Sequence, residues 1–522
     1  MNLRLLTPGI RIAVTKTSAL LGLCLICTLP LRATNPDGSS SQEPPAAAQG
    51  AAGATSSQPA QSGAGPVEAA SASHYAPLPD PSASASTTVA SAPQAAAPAA
   101  APAPDPDGWT FATYINTWLP HYLHFSGEFR NREEGRGGFN FTPGNDYTVG
   151  LFRVRVGLDF TPTSWLHGFV QARDAQFIGA TPSSLFSNAK DVFDLNQAYV
   201  ELRNGEHGWF SLKTGRQEIY FGDERLVARS LWSNASRSFD AARLTLRGQS
   251  HGAVLDVFAS SVVKNYPTSW DHVLAGQNFY GLNGSLTKLV SKATIEPYVY
   301  LKALPAVTGA DKKTGNERLY TSGLRWSGTI PGGFDYRARY SYQSGHYADN
   351  SIHAWAYYGI LGYTIPNTRL EPRFSIEYNY ASGNRSIGSS VTGTFDQLYP
   401  TTHQWRRITD LFGEQNIKDL KPGFDFKPLK KMKVYVVYSD LSLASRYDSL
   451  YNNSGSVLVK VPKGGAVSTA IGKEGDFYGT YDVNRRLQFG AGLGYLWAGQ
   501  FLKQNTPGAN STYPYAFVDY YF

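Results

Sequence analysis

The sequence predicts an all-β fold, a transmembrane antiparallel β-barrel of about 18 strands preceded by a disordered segment rich in alanine and proline. The 522-residue chain has 32 tyrosines and 51 glycines against only 2 methionines, a composition of strands and turns rather than helices. Segments of roughly ten residues alternate apolar and charged side chains, and this is the length of a tilted transmembrane strand. Short connections between the segments alternate with long polar ones, as in bacterial outer-membrane barrels.

The first 33 residues have the features of a secretory signal peptide. Three bases, Arg4, Arg11 and Lys16, form a positively charged region. An apolar core follows at residues 18–31. This core is shorter than the roughly 20 residues that a spanning helix needs. We therefore expect export of the chain with cleavage of residues 1–33.

Residues 34–108 consist mainly of alanine, proline, serine and glycine, and they contain six acids but no lysine or arginine. Such a segment cannot bury enough apolar surface to offset the entropy lost on ordering, so we expect a disordered tether. Residues 109–522 then hold 43 bases and 34 acids, a net formal charge of +9. This basic part of the chain is predicted to form the barrel.

The alternation is clear where Arg153 and Arg155 lie between Phe152, Val154 and Val156. Successive strand residues point to opposite faces, so one face of this segment is apolar and the other is charged. A soluble β-sandwich also alternates, but its strands are typically only five or six residues long. An arginine on the lipid face near the membrane midplane would cost roughly 2–4 kcal/mol, so we expect the charged face to line the lumen.

Following this alternation along the chain predicts 18 strands, an even number as bacterial barrels require, with 16 as the alternative. Short turns are expected at the periplasmic end and long loops at the extracellular end. The strands are predicted to begin near residues 122, 150, 166, 193, 208, 237, 252, 277, 293, 317, 333, 351, 370, 415, 431, 473, 486 and 512.

The last predicted strand carries Ala516, Val518, Tyr520 and Phe522 on one face. An alternating final strand that ends in an aromatic residue resembles the assembly signal of bacterial outer-membrane proteins. We therefore expect two partners, the barrel-assembly machinery through the strand ending in Phe522 and the lipid of the outer membrane. The predicted location is the outer membrane of a Gram-negative-type bacterium.

A barrel of this size is expected to enclose a water-filled lumen, whereas eight strands would be filled by side chains. Acids such as Glu128 and Glu377 share the inward face, so some arginines are expected only to form ion pairs within the wall. An excess of guanidinium groups would give the lumen a positive potential that favours anionic solutes. The arginines predicted from the alternation to line the lumen and bind solute are Arg130, Arg132, Arg153, Arg155, Arg173, Arg243, Arg325, Arg337, Arg339 and Arg373.

Two blocks of sequence resemble the alginate export family of outer-membrane porins. They comprise 214–217, 221–225, Trp232 and 237–244 in the first block, and 393–400, 410–413 and 415–417 in the second. The resemblance implies an 18-stranded barrel whose arginine-lined constriction passes an anionic uronate polysaccharide such as alginate. By the same resemblance, Arg216 matches an arginine that projects into the pore, and Asp223 and Arg225 match the loop beyond it.

Other function classes find little support in the sequence. The two cysteines, Cys24 and Cys27, lie in the predicted signal peptide, and no Gly-x-Ser-x-Gly motif marks a hydrolase nucleophile. No cofactor or metal motif is present, and strands behind a signal peptide argue against a nucleic-acid partner. A general small-solute porin and a structural or adhesive barrel are the alternatives to an anionic-polysaccharide channel.

Overall fold

Eighteen strands hydrogen-bond in a closed antiparallel ring, each pairing with the next barrel strand along the chain. The ring closes where the first strand pairs with the last, with Glu128 opposite Tyr521 and Glu134 opposite Tyr515. This confirms the predicted fold class and strand number. The predicted signal peptide and tether lie outside the part of the chain that the structure describes. The computed structural model describes residues 110–179, 189–206, 208–248, 252–309, 313–401, 403 and 407–522.

The strands are numbered in chain order, and three short ones, Val391–Thr392, Leu450–Tyr451 and Val457–Val459, lie in loops outside the ring. Short helices occupy Phe111–Asn116 and Gln500–Asn505, and a 3₁₀ turn occupies Phe139–Phe141. Among the described residues, none of the helices has the length and apolar character needed to cross a membrane. The strands are β1 (Leu123–Arg136), β2 (Tyr147–Thr163), β3 (Leu166–Gly179), β4 (Asp191–Arg203), β5 (Phe210–Gln217), β6 (Phe239–Gly248), β7 (Ala253–Lys264), β8 (His272–Leu286), β9 (Ala293–Thr308), β10 (Thr314–Ile330), β11 (Phe334–Tyr347), β12 (Asn350–Thr364), β13 (Arg373–Ala381), β14 (Val391–Thr392), β15 (Ile417–Leu429), β16 (Met432–Leu443), β17 (Leu450–Tyr451), β18 (Val457–Val459), β19 (Ala470–Asp482), β20 (Leu487–Ala498) and β21 (Ser511–Tyr521).

The two faces of the wall differ as the alternation predicts. In β2 the side chains of Arg153 and Arg155 are buried inside the barrel, whereas Val154 between them is 38% exposed on the outside. In β11, Arg339 is buried and Tyr340 is exposed. The apolar set therefore faces outward along the strands, and the charged set faces the lumen.

Two long loops at the extracellular end fold into the barrel and pair with each other. We call residues 218–238, between β5 and β6, the crossing loop, and residues 382–416, between β13 and β15, the inner loop. Tyr399 N donates a hydrogen bond to Leu226 O at 2.8 Å, and Ala228 N donates to Tyr399 O at 2.9 Å. Two backbone segments are thus joined inside the ring of strands.

The two loops build an apolar core within this end of the barrel. The ring of Tyr399 lies 5.7 Å from that of Phe239 and 4.8 Å from that of Phe279, both of which point inward from the wall. Phe395 of the inner loop is fully buried in the same core. The expectation of a lumen that is water-filled throughout is therefore wrong for this end, because loop side chains occupy it.

Candidate functional site

The candidate site is the lumen at the level of the crossing loop. This loop leaves β5, contacts the wall formed by β10–β13, and then contacts the wall formed by β1–β3 before it enters β6. Solute passing through the barrel must therefore pass the crossing loop and the arginines that surround it. Those arginines fall into two groups that differ in the partners they bind.

The arginines of β1 and β2 bind the backbone of the crossing loop. Arg130 Nη1 donates to Leu231 O at 2.6 Å, and Arg153 Nη1 donates to Ser233 O at 2.8 Å. Both side chains are about 1% exposed. Because carbonyl oxygens carry no net charge, these contacts hold the loop in place without neutralising the guanidinium groups.

Carboxylates between these arginines supply part of the compensating charge. Arg153 Nε donates to Glu128 Oε1 at 2.9 Å, and Arg155 Nη1 donates to Glu128 Oε2 at 3.2 Å. Arg130 lies 3.7 Å from Asp519 on the neighbouring strand β21. The Glu128 pairs therefore agree with the wall pairing expected from the sequence.

Arg132 contributes to a stack that joins the two loops. Its guanidinium lies 3.9 Å from the ring centre of Trp232 in the crossing loop. The Trp232 ring is in turn parallel to that of His403 in the inner loop, with 3.6 Å between the ring centres. His403 Nδ1 lies 2.9 Å from Asp410 Oδ2. Cation–π and stacking contacts of this kind fix the loops to each other and to β1.

Arg173 of β3 occupies an acidic cluster at the extracellular end of the wall. Its Nε donates to Asp191 Oδ2 at 2.9 Å, and its Nη2 lies 3.2 Å from Asp271 Oδ2. One oxygen each of Asp191, Asp194 and Asp271 lies within 4.8 Å of the others. Burial and the charge of Asp191 raise the pKa of Asp271, in the loop before β8, to about 7. These carboxylates are the residues that could hold a cation, but the Arg173 guanidinium already serves as a counter-ion for two of them.

The opposite wall binds the crossing loop through side chains. Asp223 Oδ2 of the loop lies 3.4 Å from Arg225 and 3.5 Å from Arg325, and it accepts a hydrogen bond from the Tyr358 hydroxyl. Burial opposes ionisation of Asp223, but the charges of Arg325 and Arg225 outweigh it and hold its pKa well below the ordinary value. Arg225 also donates to Glu377 Oε1 at 2.9 Å. Asp223 and Arg225 therefore lie together in the lumen, beside several of the predicted arginines.

The remaining inward arginines of this wall are mostly paired with acids. Arg373 donates to Asp335 Oδ2 at 2.8 Å and to Asp425 Oδ2 at 2.9 Å, and Arg339 pairs with Glu414 of the inner loop. Arg337 is half-buried on the inward face of β11, and Arg243 of β6 donates to Asp256 Oδ1 at 2.8 Å.

Arg339 also lines a cavity beside the crossing loop. The cavity is bounded by Phe221, Tyr298, Tyr300, Arg325 and Arg339 among others. Nε and Nη1 of Arg339 are buried and have no hydrogen-bond partner among the described residues. Arg339 therefore brings two unfilled guanidinium donors to the lining of this cavity.

Arg216 does not lie in the lumen, contrary to the expectation from the family resemblance. Its neighbours Lys213 and Gln217 are on the inward face of β5, so the alternation directs Arg216 outward, on the same side as the exposed Thr214. There it forms a bidentate pair with Asp240, at 2.9 Å from Nε to Oδ1 and 3.3 Å from Nη2 to Oδ2. The inward residue at this end of the strand is the amide Gln217.

The sequence prediction also missed a lumen arginine, Arg237, at the end of the crossing loop. It is 3% exposed, and its guanidinium carbon lies 4.9 Å from the ring centre of Tyr399. No carboxylate oxygen lies within salt-bridge distance of it in the part of the chain that the structure describes, and burial lowers its pKa to about 9. A loop position offers no alternation, which is why the strand pattern could not mark it.

A closed ring of 18 antiparallel strands, apolar outside and charged inside, with long loops folded into the lumen, defines an outer-membrane β-barrel of the porin class. The chain belongs to the alginate export family, whose family model matches residues 121–518. No curated protein sequence matches it.

Solved structures from Pseudomonas aeruginosa show a similar fold. OpdO is 12% identical, with a TM-score of 0.51 over 78% of this chain and 99% of that one. OpdK, solved with vanillate, is 12% identical, with a TM-score of 0.52 over 77% of this chain and 98% of that one. OpdQ is also 12% identical, with a TM-score of 0.52 over 77% and 99% of the two chains. At this identity the likeness supports the barrel architecture alone.

Proposed function

We propose that this protein is an outer-membrane channel for anionic saccharides, with a uronate polysaccharide such as alginate as the solute. Membership of the alginate export family supports this solute class. Ten of the eleven arginines predicted for the lumen are on inward-facing positions of the wall, and this also supports an anionic solute.

The observation that carries the proposal is the cavity at Arg339. Nη2 of Arg339 is bonded to Glu414, and its unfilled donors Nε and Nη1 can each bind one carboxylate oxygen through a charge-assisted hydrogen bond, which is stronger than a neutral one. The rings of Tyr298 and Tyr300 stack with their centres 5.0 Å apart and bound the same cavity. Aromatic faces beside a carboxylate-binding group suit a sugar acid, which has both an apolar ring face and a negative charge.

A general small-solute channel is the second candidate, and the ion pairs of the lumen favour it. Arg153, Arg243 and Arg373 each have a carboxylate partner within 3.0 Å. Paired groups of this kind make the lumen polar without giving it a strong net potential. The two candidates differ in whether the channel prefers anions and whether it distinguishes a uronate from a neutral sugar.

Block of single-channel current in planar bilayers tests the proposal. Oligouronates should block the channel at lower concentration than neutral oligosaccharides of equal length. Replacing Arg339 by Gln should raise the blocking concentration of the uronate roughly tenfold, the effect of losing about 1.4 kcal/mol. Arg216→Gln on the outer face is the matched control and should leave block unchanged. Equal block by charged and neutral oligosaccharides would support the general channel instead.

A further inference from the structure

The segment that precedes β1 lies against the outside of the barrel, at the seam where β1 meets β21. Its helix Phe111–Asn116 begins with a capping box, in which the Thr110 side chain accepts a hydrogen bond from Thr113 N at 3.0 Å. The Phe111 ring lies 6.1 Å from that of Phe125 and 6.3 Å from that of Phe522. The helix therefore packs against aromatic side chains that project from both strands of the seam.

Asn116 completes the hydrogen bonding of this seam. The backbone pairing between β1 and the C-terminus ends at Gly127 and Phe522. Gly127 N donates to Phe522 O at 2.8 Å, and Phe522 N donates to Gly127 O at 3.0 Å. Two residues before Gly127, Phe125 N donates to Asn116 Oδ1 at 2.7 Å, and Asn116 Nδ2 donates to Phe125 O at 2.8 Å. The side-chain amide makes the two bonds that a further strand residue would make, so the seam-side backbone of Phe125 is not left unpaired next to lipid.

The segment also exposes three aromatic residues, one of which, Phe111, is the residue that packs on the seam. Phe111 is 57% exposed, Tyr114 is 50% exposed and Trp118 is 75% exposed. No charged residue occurs from 110 to 120. Aromatic side chains concentrate where a membrane meets water, because their rings prefer the region of the lipid headgroups. The exposed rings continue the outward face of the wall at Phe125.

We propose that residues 110–118 form an interfacial anchor that inserts its aromatic side chains among the phospholipid headgroups of the periplasmic leaflet. The short turns of the barrel lie at the same end as this segment, which assigns it to the periplasmic side. Through Asn116 the anchor also fastens the seam of the barrel. The occupant of the exposed aromatic surface is therefore lipid rather than a second protein.

Site-directed fluorescence in liposomes tests the contact with lipid. The sequence has no cysteine after residue 27, so in the exported protein Trp118→Cys carries a single bimane label. Glu206→Cys in the β4–β5 turn is the aqueous control, and Val170→Cys on the wall is the membrane control. A lipid quencher near the headgroups should quench the label at 118 at least twofold more than one near the chain ends, and aqueous iodide should quench it less than the label at 206. Equal iodide quenching at 118 and 206, with no lipid quenching at 118, would overturn the proposal.

Heat modifiability on gels tests the seam. Asn116→Ala removes both bonds to Phe125 and should lower the temperature at which the folded band is lost. Thr117→Ala is the matched control, because the Thr117 hydroxyl donates only to Tyr114 O within the same segment. Equal loss temperatures for the two variants would overturn the role of Asn116. If Asn116→Ala does not fold while Thr117→Ala does, the role in the seam is supported, and the labelling experiment still decides the lipid contact.

Discussion

The two arginine-rich walls of the lumen face the same crossing loop but bind it in different ways. On the β1–β2 wall, Arg130 and Arg153 donate to backbone carbonyls of the loop. On the opposite wall, Arg325 faces the carboxylate of Asp223, and Arg225 of the loop reaches Glu377 of the wall. One end of the loop is thus held by its backbone and the other by charged side chains.

This difference separates two roles for the same residue type. Arginines that bind carbonyls fix the position of the loop whatever its side chains are, whereas arginines that bind carboxylates depend on the charge of each partner. Arg339 belongs to the second wall, and it retains two unfilled donors beside a cavity. The contacts therefore assign loop anchoring mainly to β1–β2, and the solute binding that we propose would lie mainly at β10–β13.

Removing the crossing loop gives the largest expected effect. Replacement of residues 220–235 by a short glycine linker would remove the contacts of both walls at once. We expect a severalfold rise in single-channel conductance, because the loop crosses the lumen. Gel mobility with and without heating checks that the barrel still folds. A folded variant with unchanged conductance would show that the loop does not narrow the path of ions.

Arg153→Gln should loosen one end of the loop only. It breaks the ion pair with Glu128 and the hydrogen bond to Ser233 O. Breaking a buried ion pair lowers the free energy of unfolding by roughly 3–5 kcal/mol. We expect the low end of this range because Arg155 still binds Glu128. We expect a lower unfolding temperature and noisier current with little change in ion preference. Arg373→Gln, which breaks wall pairs away from the crossing loop, is the comparison. Equal current noise in the two variants would contradict the anchoring role of Arg153.

The sequence predicts the wall of this barrel well but its interior poorly. Period-two alternation follows from strand geometry, so it locates each strand, and the largest displacement is β8, which begins at His272 rather than near 277. Residues 272–276 show no alternation of apolar and polar side chains, yet His272 and Val273 still pair with Lys264 and Val263 beyond a shift in register. The inward folding of two loops depends on contacts between distant segments, such as Leu226 with Tyr399, and no local pattern encodes it.

Arg216 shows why the site was predicted only in part. From Lys213 to Gln217 the sequence has no apolar residue that fixes which face is outward. A shift of one residue moves a side chain to the other face of the sheet, so a motif at this strand end does not determine the direction of its arginine. The ten arginines predicted from the alternation lie on the inward face in the structure. Arg216, which was predicted from the family resemblance alone, lies on the outward face.

Asp271→Asn should have the smallest effect and should depend on pH. The pKa of Asp271 is raised to about 7, above its ordinary value near 3.9, so this group contributes stability when protonated. That contribution to the free energy of unfolding decreases as the pH rises from about 4 through 7. The variant should lose this part of the pH dependence between pH 5 and 8, measured as the temperature of unfolding on gels. Identical pH dependence in both proteins would contradict the raised pKa.

The reversal potential in a KCl gradient tests the central claim most directly, namely that inward arginines at the crossing loop give the channel its preference for anions. The potential is measured in dilute salt, because at 1 M the Debye length is only about 3 Å and the salt screens the charges of the lumen. The native channel should prefer anions, Arg337→Glu on the inward face of β11 should shift the potential towards cations, and Arg216→Glu on the outer face should leave it unchanged. A native channel that prefers cations in dilute salt, or an Arg216→Glu shift as large as that of Arg337→Glu, would contradict the claim.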